Sequence, residues 1–147
     1  MTEVKNINIQ SKFKSLDLIS FENRRATDQA IDSQKITYEI SINFNIDQSR
    51  KVLTFYCPIK IFAEPAKQIL LGSIETKAEF EVLNLDVISD KEKGVPTPVM
   101  ATFVGLLISS TRGMLNILSK GTSFEQGILP IINPMIFFQQ SLQPAVK

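Results

Sequence analysis

Between Lys35 and Asp47 apolar residues fall at every second position: Ile36, Tyr38, Ile40, Ile42, Phe44 and Ile46 alternate with Lys35, Thr37, Glu39, Ser41, Asn43, Asn45 and Asp47. A period of two sends successive side chains to opposite faces, so this stretch predicts a long β-strand with one wet face. Asp47-Gln48-Ser49-Arg50 supplies turn chemistry, and Leu53, Phe55, Cys57, Ile59 and Ile61 resume the alternation, which predicts an antiparallel hairpin. Pro58 has no N–H to give to a ladder and so predicts an edge position or a bulge. Two further strands change parity partway. Ile7, Ile9 and Phe13 share one parity and Leu16 and Leu18 the other, and one extra residue near Lys14-Ser15 returns them all to one face. Ile69 and Leu71 give way to Ile74, Ala78, Phe80 and Val82 across Gly72-Ser73, where glycine suits a bulge or bend.

The pattern then changes. Thr97 as N-cap, Pro98 in the first turn and Gly121 as the left-handed residue past the end bracket a helix over Val99 to Ser119. Only Arg112 is charged within it. Arg112, Asn116 and Ser109-Ser110-Thr111 interrupt the run of roughly 18 apolar residues that a membrane span requires, so the reading is a helix buried on several sides. Ala101, Gly105, Ser109 and Gly113 recur every fourth residue, a small-residue stripe along which the chain's own sheet or a second subunit's helix can approach closely. Gly127 to Pro134 is strongly apolar but cannot continue a helix through Pro130, which predicts an extended loop lying on a hydrophobic surface. Asn133 and Pro134 then start a short helix through Met135, Ile136, Phe137, Phe138 and Leu142 that stops before Pro144. The expected fold is α+β: a four-stranded antiparallel sheet, a long helix, an apolar loop and a short C-terminal helix, in one domain over residues 1–147. The polar stretches Ser20 to Gln34 and Ser89 to Thr97 read as loops within it.

Composition removes several functions. With 16 Lys+Arg against 15 Asp+Glu the net charge is +1, so the surplus of cations that nucleic-acid binding draws on is missing, and Arg24-Arg25 is a lone basic pair beside Glu22 and Asp28. The chain has no histidine and one cysteine, which excludes histidine-dependent hydrolysis, Cys/His metal sites and an intrachain disulfide. Cys57 belongs to the inward set of its strand and reads as a small core residue. Glu75, Glu79 and Glu81 share a strand face with Lys77 and read as a solvated face, since no substrate-positioning motif accompanies them. No glycine-rich phosphate loop follows a strand. These points predict a protein that is not an enzyme and uses no cofactor. Met1 to Asn6 lacks the apolar core of a signal peptide, from which a cytoplasmic location is expected. What remains is apolar surface: from Val95 onward only Arg112, Lys120, Glu125 and Lys147 are charged, and large apolar patches mark binding surfaces.

The order of long antiparallel strands, long helix, apolar proline-containing loop and terminal helix resembles the SecB family of export chaperones. The local match is Ile117-Leu118-Ser119-Lys120-Gly121-Thr122 followed by Ile128-Leu129-Pro130-Ile131-Ile132-Asn133, similar to that family's helix end and the loop after it, with Phe137 in the place of the loop's last aromatic. The resemblance implies a homotetramer, a dimer of dimers in which first strands pair across subunits and long helices pack between dimers. Here that contact would fall on Ala101, Gly105, Ser109 and Gly113. It also implies an ATP-independent holdase whose unfolded or export-destined clients lie against Leu129, Pro130, Ile131, Ile132 and Phe137, and on the other side against Phe21. The family's acidic surface and acidic motor-binding tail have no counterpart in these residues, which argues against a secretion motor as partner, and its crossover tryptophan is absent too, so that Ser20 to Gln34 offers the groove only Phe21 and Ile31. The alternative is an oligomeric adaptor on the same fold that serves one specific protein partner without general chaperone activity.

Overall fold

The computed structural model describes residues 8–24, 31–63, 69–90 and 94–142. Ile7, Asp28, Arg25 and the residues after Leu142 lie outside them. The strands are β1 (Ser11–Asn23), β2 (Ile36–Ile40), β3 (Asn43–Asp47), β4 (Val52–Ala63) and β5 (Ile69–Val82). The helices are α1 (Leu85–Ile88), α2 (Thr97–Leu118) and α3 (Pro134–Leu142). The strands form one antiparallel sheet in the order β1-β5-β4-β2, with β3 also on β4.

Five strands stand where the alternation predicts four, and the cause is Pro58. Ile40 opposes Ile59 and Asn43 opposes Tyr56, so the register is unbroken and Ser41 falls opposite Pro58. Ser41 N–H donates to the Pro58 carbonyl at 3.0 Å, but proline returns no N–H, and the ladder opens there. Pro58 therefore lies in an interior strand rather than at the expected edge, and exposed Ser41 leaves its carbonyl to water.

The parity changes are bulges. On β1 the register shifts between Phe13 and Ser15, as the pattern predicts, and again between Leu18 and Ser20. The second shift restores Phe21 to the inner face, so β1 runs through the stretch expected to be loop and ends at Asn23. On β5 the shift falls beside Gly72. A β-carbon at Gly72 would collide with the Glu22 carbonyl oxygen and lie 2.8 Å from the Phe124 ring.

The inner face of the sheet meets α2, which buries Val99, Met100, Phe103, Val104, Leu107, Ile108, Thr111 and Leu115. Six phenylalanines tie the layers together. Phe13 meets Phe80 at 4.8 Å, Phe80 meets Phe103 at 4.5 Å, and Phe55, Phe44 and Phe138 continue the chain at 5.7 to 6.2 Å. Thr111 donates to the Leu107 carbonyl at 2.7 Å, so the buried 2.6 Å contact between Thr76 and Thr111 uses the Thr76 proton. Cys57 is fully buried beside this pair. The outer sheet face is polar and half-exposed, with Lys77 paired to Glu79 at 3.3 Å.

The helix α2 starts one residue earlier than its caps predict: Pro96 holds the N-cap position and Thr97 is already helical. At its end Gly121 takes the left-handed conformation expected of it, with φ 82°. The Asn133 side chain accepts from Met135 N–H at 3.0 Å and Ile136 N–H at 3.3 Å, which caps α3. The short helix α1 carries no signal that the sequence pattern exposed.

Candidate functional site: an apolar groove along the long helix

The loop Gly127 to Asn133 leaves the end of α2 and returns beside it. Gly127 packs on the Tyr38 hydroxyl and the Ile36 methyls, Leu129 and Pro130 meet Arg112, and Pro134 meets Gly105. Successive loop residues thus meet successively earlier helix residues, so the loop runs antiparallel to α2. Prolines at 130 and 134 keep it from coiling, and its carbonyls need donors from elsewhere. Arg112 supplies them: Nε donates to the Leu129 carbonyl at 3.2 Å and Nη2 to the Pro130 carbonyl at 2.9 Å.

Two adjoining hollows lie between the loop and the helix. The larger, of about 470 Å³, is lined by Ser109, Arg112, Gly113, Leu115, Asn116, Gly127, Ile128 and Leu129. The second, of about 290 Å³, is formed chiefly by Thr102, Gly105, Leu106, Ile131, Ile132 and Pro134, and it shares Ser109 and Arg112 with the first. The larger falls within the range of roughly 300–1,000 Å³ usual for ligand clefts. Arg112 is the one ionisable residue in either lining.

The loop residues named from the sequence divide by exposure. Ile131 is 94% exposed and Ile128 77%, whereas Leu129 is 3% exposed. Pro130 is exposed and Ile132 half-buried. Leu129 therefore anchors the loop in the core and offers only a sliver of surface to the larger hollow that it lines. Phe137 is half-buried against the core. Phe21 lines neither hollow: its ring lies 6.1 Å from Phe124 on β1, three strand spacings, about 14 Å, from the β2 side where Gly127 sits.

The small-residue stripe is also divided. Ala101 is buried within the protomer, which removes it from any contact between subunits, and a β-carbon at Gly105 would lie 3.2 Å from Pro134 of the same chain. Ser109 and Gly113 are exposed and form part of the groove wall, with open space above Gly113. The stripe thus serves close approach of the chain's own loop at one end and a groove wall at the other. Sequence reasoning missed Arg112 as the loop's clasp. The signal was present, since a lone cation in an apolar helix needs buried acceptors and a proline-bearing loop has carbonyls to spare.

This arrangement is a SecB-like fold. It is similar to a SecB-like chaperone of Mycobacterium tuberculosis solved in complex with a ChAD peptide from the HigA1 antitoxin, with TM-score 0.56 and 12% identity over 83% of this chain and 89% of that one. A protein of unknown function from Streptococcus agalactiae matches with TM-score 0.37 and 8% identity over 78% of this chain and 90% of that one. No protein-family model matches the sequence, and no curated protein does.

Proposed function

We propose that this protein is an ATP-independent holdase that binds unfolded or export-destined polypeptides in the groove between α2 and the 127–133 loop. The observation that carries the reading is that Ile128 and Ile131 stand almost fully in solvent on a loop that is itself fastened, by buried Leu129 and by the two Arg112 hydrogen bonds. A fold that pins the backbone while turning isoleucines outward presents them. An extended client burying scattered apolar side chains there needs no nucleotide cycle and no catalytic group. The polypeptide-bound state of the Mycobacterium tuberculosis neighbour supports a chaperone or adaptor rather than an enzyme. That its ligand is a peptide from one antitoxin favours, as the second reading, an adaptor for a single partner. We also propose a cytoplasmic homo-oligomer.

Titrating the native protein with a permanently unfolded, dye-labelled polypeptide, and with the same polypeptide folded, separates the two readings by anisotropy. Micromolar or tighter binding of the unfolded form alone is expected. Binding of neither form removes the holdase and leaves the adaptor.

A further inference from the structure

Arg112 does more than fasten the loop. A guanidinium presents a fork of N–H donors larger than the Leu129 and Pro130 carbonyls occupy. Its head sits where the two hollows join, bordering both. Among the described residues it forms no ion pair. Glu125, the one carboxylate side chain between Val95 and Leu142, is turned to the Gly121 N–H at 3.0 Å. The groove is therefore an apolar channel with one uncompensated cation at its midpoint, half-buried, where a carboxylate gains more than it would on an open surface.

The channel's length limits what can lie in it. From Thr102 to Asn116 the helix rises about 21 Å, which an extended chain covers with about six residues. We propose that the groove takes an extended, mainly apolar segment of about six residues carrying an Asp or Glu near its centre, whose carboxylate pairs with the free edge of the Arg112 guanidinium while apolar side chains on either side fill the two hollows. This rests on the reading of the groove as the client site and gives that site a charge preference. Basic segments are rejected by like charge, and uncharged ones bind more weakly.

The test varies the ligand first. Three dye-labelled, Gly/Ser-flanked peptides share a six-residue core of Leu, Val and Phe and differ only in a central Glu, Gln or Lys. On the native full chain the Glu peptide is expected to bind about tenfold tighter than the Gln peptide, with the Lys peptide weakest. In Arg112→Gln the Glu and Gln peptides become equal. If loosening the loop unfolds that variant, the three peptides on the unaltered protein decide alone. Equal affinities, or a preference for Lys, overturn the charge preference and leave the holdase standing. Refusal of all three overturns it too, and it overturns the holdase only if the long unfolded polypeptide is also refused.

Discussion

Burial at Cys57 and Tyr38 leaves a titration signature. Burial pushes the Cys57 thiol from 9.0 up to about 12 and the Tyr38 hydroxyl from 10.0 up to about 12. The folded protein keeps protons that the unfolded chain releases as the pH passes 9.0 and then 10.0, so the stability these groups confer is full below pH 9 and lost as the pH climbs toward about 12. Cys57 alone steepens the loss by about 1.4 kcal/mol per pH unit in that window. The urea midpoint is expected to fall from about pH 9 to about pH 11, and Cys57→Ala to flatten the fall; an unchanged slope would mean that water reaches the thiol. That Cys57 points inward was legible from its parity in the strand. The fates of Ala101, Gly105, Ser109 and Gly113 were not, because a four-residue spacing fixes which side chains share a helix face and says nothing of what lies opposite.

Among the elements, the loop is the one whose side chains separate structure from binding. Ile131→Asp puts a charge where the side chain is already in water, so stability should stay within about 0.5 kcal/mol while unfolded-polypeptide affinity drops at least severalfold. Leu129→Asp puts the same charge into the core and is expected to unfold the domain. Thermal melts and anisotropy on both variants check the pair, and an Ile131→Asp protein that melts with Leu129→Asp would move the loop into the core. The existence of this loop, and of the helices on either side, was readable from Pro130, Asn133-Pro134 and Gly121. The split of one predicted strand into β2 and β3 was foreshadowed by Pro58, but its place in an interior strand depends on β5 pairing on the other side.

At the scale of the whole molecule, β1 is an edge strand among the described residues. Within them it pairs with β5 alone, its inward Phe13 and Leu18 are exposed because α2 packs over β4 and β5, and bulged Ile19 is exposed as well. The opposite side of the sheet has cover from Gly127 on Tyr38 and from Phe138 on Phe44. β1 already carries exposed Lys12 and Lys14 near its start, so the apolar stretch open to a second strand is Leu18 and Ile19, where a lysine discourages pairing. Ile19→Lys is therefore expected to shift the sedimenting species toward the monomer with little change in the urea midpoint. An unaltered oligomer would exclude β1 from the contact. The sequence by itself determined the elements and their inner faces, since period, caps and proline positions act over a few residues and their physics is local. Only the tertiary structure decided that Leu129 is anchored while Ile131 is presented, that Arg112 clasps the loop, and that Phe21 stands apart from the groove. Each of those depends on which surfaces meet across the fold, and a run of equally apolar residues carries no mark of which one will find a partner.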